Sequence, residues 1–227
     1  HDIRDNLNST APRRMAVLTP LKVVIGNFTE EPTPSLVIPN HPQDDSFGER
    51  EVTFSQEIYI EREDFQEVPE KKFFRLGPER YVRLRGGPII QCTGFEKDDS
   101  GEITLLHANL LPDTTGKDSP EGVKCKAAIH WVDAATAADA EVRLYDRLFS
   151  VEDPDAAEGG FLSVLNPESF KTVNAKVEAS LLLEAPGFSY QFERTGYFVT
   201  DSKDHITGQK AVFNRTVALR DSWGKRR

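Results

Sequence analysis

The sequence predicts a mainly β protein that includes a small barrel, and three observations predict it. Apolar and polar residues alternate over short runs, as at Val52 and Phe54 and again at Ile58 and Ile60. A period of two puts one face of a strand in a core and the other in water. Turn signals such as Gly86-Gly87-Pro88 and Asp98-Asp99-Ser100-Gly101 separate the runs, and those residue types favour tight reversals. Amphipathic stretches of helical period are scarce, and several short strands at this spacing form barrels more readily than open sheets.

The elements follow in order. His1 to Arg14 is polar, interrupted by Pro12, and reads as the tail of an upstream element plus a linker. Met15–Leu18 and Leu21–Ile25 read as a strand pair, or as one strand broken at Pro20. Pro32, Pro34, Pro39 and Pro42 make Glu30–Asp45 an extended loop and a domain boundary. Phe65–Lys72 reads as a short helix, and Tyr81–Arg85 as a strand. Ile89–Phe95 and Ile103–Leu110 flank the Asp98–Gly101 turn as a hairpin. Leu111–Val123 is a second boundary loop. Ala127–Val132 reads as a strand and Asp133–Ala140 as a short helix or turn. Val142–Val151 reads as a strand, and Phe161–Leu165 answers Leu144–Val151 as a long two-stranded ribbon across an acidic turn, Glu152–Gly160. Lys176–Leu183, Tyr190–Thr200 and Ala211–Arg220 complete a second set of strands.

The chain has 227 residues, 38% hydrophobic and 29% charged, enough for one large or two small domains with a buried core. Its apolar runs fall far short of the ~20 residues that span a bilayer. No signal peptide opens it, and two cysteines, Cys92 and Cys125, make no disulfide framework. A cytoplasmic location without membrane attachment is expected. The net charge of −9 argues against indiscriminate nucleic-acid binding.

Against that balance, Lys71–Arg85 holds six Lys or Arg among fifteen residues and one acid. Alternation along Tyr81–Arg85 puts Arg83 and Arg85 on one strand face and Val82 and Leu84 on the other. Two guanidinium forks near aromatic rings suit phosphates and base edges; the plainer alternative is a half-buried strand with a solvated face. No phosphate-cradling glycine loop, zinc spacing or nucleophile motif occurs. Cys92, His107, Cys125 and His130 match no metal template. Asp98-Asp99 reads as a turn, and His130 as a hydrogen-bonded core histidine rather than a base. Catalytic residues and metal ligands are therefore expected to be absent.

Several motifs together resemble the anticodon-binding region of the glutaminyl-tRNA synthetases, in the glutamyl and glutaminyl subfamily of class I. They are Ala11–Val17, Pro39–Pro42, Val82–Arg85, Ile129–Val132, Leu144–Val151, Leu162–Ser169, Gln191–Phe198, Phe213–Thr216 and Leu219–Trp223, in the family's order. The resemblance implies two tandem β-barrels, the distal one inserted in the proximal one. Residues 1–14 would be a linker, 15–38 with 127–227 the proximal barrel, and 39–126 the distal barrel. It implies a glutamine–tRNA ligase part that grips the anticodon loop of glutamine tRNA with its bases splayed, the geometry in which single-stranded RNA is read.

Residue by residue, the resemblance puts Arg83 and Arg85 at the first anticodon base and Arg75 at the third. Arg13, Gln191 and Arg194 fall around the central uridine, with Pro39 and Asn40 in a nearby loop. Lys72 is a further contact position, occupied in relatives by glutamine, while Phe74 stands where relatives carry lysine. Gln191 and Arg194 are three apart, so both reach one base only if the strand bulges or bends. The resemblance also implies that ATP and glutamine bind a missing catalytic half, that this chain holds no cofactor, and that it is a monomer. Alternatives are the related region of an archaeal- or eukaryotic-type glutamyl-tRNA synthetase, a barrel that binds ribosomal RNA, and a protein-interaction module.

Overall fold

The computed structural model describes residues 3–29, 35–147 and 165–219, with backbone alone at 146–147 and 165–169. The elements are α1 (Ile3–Thr10), β1 (Arg13–Arg14), β2 (Ala16–Val17), β3 (Pro20–Ile25), β4 (Ser35–Pro39), β5 (Glu49–Thr53), β6 (Glu57–Glu61), β7 (Tyr81–Leu84), β8 (Ile89–Lys97), β9 (Ile103–Leu110), β10 (Ala128–Ile129), β11 (Trp131–Asp133), β12 (Ala138–Arg147), β13 (Leu165–Val177), β14 (Ser189–Phe192), β15 (Gly196–Thr200) and β16 (Ala211–Ala218). The fold is mainly β, with two nearly closed barrel-shaped sheets.

Two compact units divide the chain: residues 1–14, 39–48 and 138–227 form one, and 15–38 with 49–137 the other. The second is enclosed in sequence by the first, as an insertion requires. The division differs from the expected boundaries. Residues 15–38 and 127–137 join the inserted unit, because β3 pairs with β6 and β9 and because β10 and β11 pair with β7 and β6. Residues 39–48 join the enclosing unit through Asn40, whose carbonyl accepts the Arg13 N–H at 2.7 Å.

In the inserted unit the sheet runs β10-β7-β8-β9-β3-β6-β11. Its first and last strands are consecutive in sequence and joined by the single residue His130, which nearly closes the barrel. Strand alternation fills the interior. Val82 and Leu84 are fully buried while Tyr81 and Arg83 are half-buried, as period two dictates. Trp131 sits in this core and donates its Nε1–H to the Arg85 carbonyl at 2.9 Å. Truncating it to Ala would cost about 3–5 kcal/mol. His130 is a core histidine as expected, 3.0 Å from buried Glu61, whose carboxylate also takes the Leu18 and Thr19 N–H groups. The Asp98–Gly101 hairpin also forms, with Asp98 accepting from Ser100 and Glu102.

In the enclosing unit the strands run β1-β14-β15-β16-β12-β13. Phe192, Phe198 and Phe213 stack in its core, with ring centroids 4.3 and 5.1 Å apart. A two-stranded ribbon is formed by β12 and β13, antiparallel from Ala138 opposite Val177 to Arg147 opposite Leu165, so the partner of Leu144 is Lys171 and not a residue of the expected Phe161–Leu165. Glu152–Gly160 and nearly all of Phe161–Leu165 lie outside the described residues, as does most of Leu219–Trp223.

Four local expectations are corrected. Residues 1–14 are more than a linker: Ile3 and Leu7 of α1 pack on Ala11, Tyr197 and Val217. Phe65–Lys72 is not helical. Pro69 has no N–H and disfavours helix at the residue before it, and the segment instead folds back so that Leu76 donates to Asp64 and accepts from Gln66. Lys176–Leu183 leaves the sheet after Val177 and turns through a short 3-10 helix at Ala179–Leu183. Tyr190–Thr200 is two strands joined by a turn rather than one.

Candidate nucleic-acid interface

The Lys71–Arg85 stretch builds one wall of a cleft of about 400 Å³ in the inserted unit. Because that stretch is a folded-back loop running into β7, its side chains fan out around a concavity instead of sharing a helix face. Lys71, Phe73, Phe74, Arg75, Glu79, Arg80 and Tyr81 line it from this side, and Gly122, Lys124 and Lys126 from the loop before β10. Five cations face one carboxylate. Phe74 is 51% exposed, and the Lys126 ammonium lies 4.8 Å above its ring centroid.

Arg75 is oriented within this cleft by the fold-back. Its Nε is 2.9 Å from the fully buried Asp64 carboxylate, its Nη2 donates to the Glu63 carbonyl, and its plane covers Phe73 at 4.6 Å. A fork held on one edge presents its remaining edge in a fixed direction, which lowers the entropy cost of a new bond. Lys72 is exposed and does not line the cleft.

Arg83 lies on the half-buried face of β7, whereas Arg85, expected in the same strand, falls in the turn just past its end; Arg83 is engaged. Its guanidinium donates to the carbonyls of Gly87 at 3.2 Å, Thr114 at 2.7 Å and Lys117. Thr114 is buried, bonded to Ile89 N and Leu111 O. Arg83 therefore fastens the Leu111–Val123 loop to the strand. Arg85 is half-buried, with its backbone tied to Ile129 and Trp131.

The remaining positions fall in the enclosing unit, where β1, β14 and β15 lie side by side. Arg13 stands opposite Gln191, and Gln191 opposite Tyr197. Gln191 donates to the Tyr197 hydroxyl at 3.1 Å. The Arg13 fork caps the end of α1 through the Asn8 and Ala11 carbonyls and the Asn8 side chain. Arg13 is 5% exposed and Gln191 9%. Burial lowers the Arg13 pKa, opposed by nearby Tyr197 and Glu193.

Arg194 follows in a three-residue connection from Phe192 to Gly196, with φ at +66°. Three-residue hairpins need such a left-handed residue. The chain thus bends between Gln191 and Arg194, as two residues three apart require if they share a target. Asn40 is held by Arg14 at Oδ1 and by the Phe47 carbonyl at Nδ2. Pro39, beside it, is exposed at the end of β4.

The structure thus brings Arg13, Gln191, Asn40 and Arg194 into one unit, and Arg75, Arg83 and Arg85 into the other. Sequence reasoning passed over Lys124 and Lys126. Their signal was weak: two lysines of period two just after a Pro- and Gly-rich loop. It also left Arg14 as motif only, although its guanidinium lies 5.7 Å from the Tyr190 ring centroid. Among the described residues no group of His, Cys, Asp or Glu is arranged to hold a metal ion, and no helix is long and apolar enough to cross a membrane.

Basic clefts with exposed rings, carried on small β-barrels, define a class of module that binds single-stranded nucleic acid. Comparison with known proteins is more specific. Models of the anti-codon binding domain of class I tRNA synthetases (E and Q) match residues 11–111 and 128–201. The chain belongs to this family. It is 53% identical over 224 residues to a glutamine–tRNA ligase of Alteromonas mediterranea, covering 98% of this chain and 40% of that protein. Glutamine–tRNA ligases of Colwellia psychrerythraea and Cupriavidus metallidurans are each 50% identical over 224 residues. The chain therefore spans about 40% of the length of these relatives.

Proposed function

We propose that the chain recognises the anticodon loop of glutamine tRNA as part of a glutaminyl-tRNA synthetase. The observation that carries this reading is the identity of about half the residues to glutamine–tRNA ligases over 98% of the chain. The two sites support it. Splayed bases offer edges and faces, and a cleft of cations and rings meets both needs. In this reading Arg75 takes the third base, Arg83 and Arg85 the first, and Arg13, Gln191 and Arg194 the central uridine. Pro39 and Asn40 shape the neighbouring loop, and Lys72 adds charge at the rim. The chain acts as a monomer in the cytoplasm. ATP and glutamine are taken by another part of the synthetase, so this chain supplies tRNA binding without forming the adenylate.

The test is a filter-binding titration of glutamine and glutamate tRNAs at rising salt. The expected result is tighter binding of glutamine tRNA and a log–log slope of about −0.7 for each single-stranded phosphate neutralised. Preference for glutamate tRNA would move the chain to the sister specificity. No binding at low salt would leave a protein-interaction module as the better account.

A further inference from the structure

Phe74 and Lys126 are fifty-two residues apart in sequence, yet the Lys126 ammonium stands 4.8 Å above the Phe74 ring at the basic cleft. Both side chains are exposed, and neither has a packing duty that explains it. Lys124 and Lys71 line the same cleft, and Arg80 is anchored there by a 2.6 Å bond to the Phe73 carbonyl. Positive charge thus lines both walls of the cleft, while the Phe74 ring supplies an apolar face beside Lys126.

Resting on the anticodon-binding reading, we infer that Phe74 and Lys126 form a two-part nucleotide seat: the ring stacks on one splayed base and Lys126 holds an adjoining phosphate. The cation that residue 74 cannot supply comes from the loop before β10. The division of labour follows from chemistry. An aromatic face takes any base by stacking, with little dependence on salt. An ammonium is a point charge that neutralises one phosphate and releases its counterion, so its contribution falls as salt rises. The cleft volume of about 400 Å³ lies within the range of small-ligand sites. Because Lys126 meets a phosphate, it contributes equally whatever the base.

The two roles give different readouts in filter binding of the intact chain to glutamine tRNA. Lys126→Gln is expected to weaken binding about fivefold at 0.1 M salt, to lose its effect toward 1 M, and to make the log–log slope shallower by about 0.7. The loss should be the same for every anticodon variant. Phe74→Leu is expected to weaken binding about 5- to 100-fold with the slope unchanged. Both positions are exposed, so thermal melts of the variants should match the parent. A Lys126→Gln slope equal to that of a parent that binds normally would overturn the seat while leaving anticodon recognition standing. So would a Phe74→Leu affinity equal to the parent's. Absence of binding by the parent at low salt would overturn both.

Discussion

The two units solve the same chemical problem in opposite ways. In the inserted unit the lysines of the cleft stand in water: Lys71, Lys124 and Lys126 are exposed, while Arg75 is tied to a buried carboxylate and Arg83 to three backbone carbonyls. In the enclosing unit the predicted contacts are woven into the sheet. Arg13 and Gln191 are buried and bonded along a row of three strands, and Asn40 spends its amide on Arg14 and Phe47. Exposed ammonium groups attract phosphate over a Debye length, roughly 10 Å at 0.1 M salt, and contribute affinity without much selectivity. Groups fixed by hydrogen bonds are costly to leave without their partners and discriminate better. In the proposed reading both units carry base contacts, and the exposed lysines give the inserted unit the larger salt-dependent share.

Substitutions that break this contrast differ in size. The largest effect is expected from Arg13→Ala, which removes the fork that caps α1 and its bonds to the Ala11 carbonyl and to the Asn8 carbonyl and side chain, leaving the Asn8 carbonyl with His41 Nε2 alone. A loss of about 2–4 kcal/mol in stability is expected by urea unfolding, larger than for Lys124→Ala, which should be near neutral. Equal midpoints for the two variants would erase the distinction between the units.

Next is Arg83→Ala, expected to cost about 1–3 kcal/mol of tRNA binding and to relax choice at the first anticodon base. Its three carbonyl bonds add a second consequence, faster hydrogen exchange at Thr114–Lys117. An equal loss on every anticodon variant would reduce Arg83 to a phosphate contact or a brace. Smaller still is Asn40→Ala, which breaks the ties to Arg14 and Phe47. About 1 kcal/mol of stability should go, with a melting temperature lowered by a few degrees.

The smallest is a pH effect. Burial pushes the Asp201 carboxyl up, but the Asn214 amide, the N–H groups of Asp204 and Lys203, and Arg143 draw it down further, so it lies below the ordinary carboxylate range. A group with a depressed folded-state pKa contributes fully above its unfolded value, about 3.9, and loses that contribution as the pH falls through the folded value. The stability gap between the parent and Asp201→Asn should therefore be present near neutrality and narrow below about pH 4. A gap that widens in acid would contradict the sign.

Local chemistry was legible in the sequence where neighbours along the chain decide it. The alternation of buried Val82 and Leu84 with half-buried Arg83 followed from period two, and the Asp98 hairpin from its turn residues. Long-range pairing was not legible. Nothing in Lys124-Cys125-Lys126 announces a partner in Phe74, and nothing in Arg75 announces the buried Asp64 eleven residues before it. The expected domain boundaries followed the proline loops, whereas the barrels are defined by ladders such as β3 with β9, which composition does not reveal. The helix expected at Phe65–Lys72 failed at Pro69, and the fold-back that replaced it is what shapes the basic cleft.

The account stands or falls on base discrimination by the intact chain. The most direct measurement is its affinity at low salt for glutamine tRNA and for three variants, each altered at one anticodon position. The account predicts that every variant binds more weakly, by about 1–3 kcal/mol per position. Equal affinity for all four RNAs would mean that both units grip phosphates alone, and would contradict anticodon recognition by this chain.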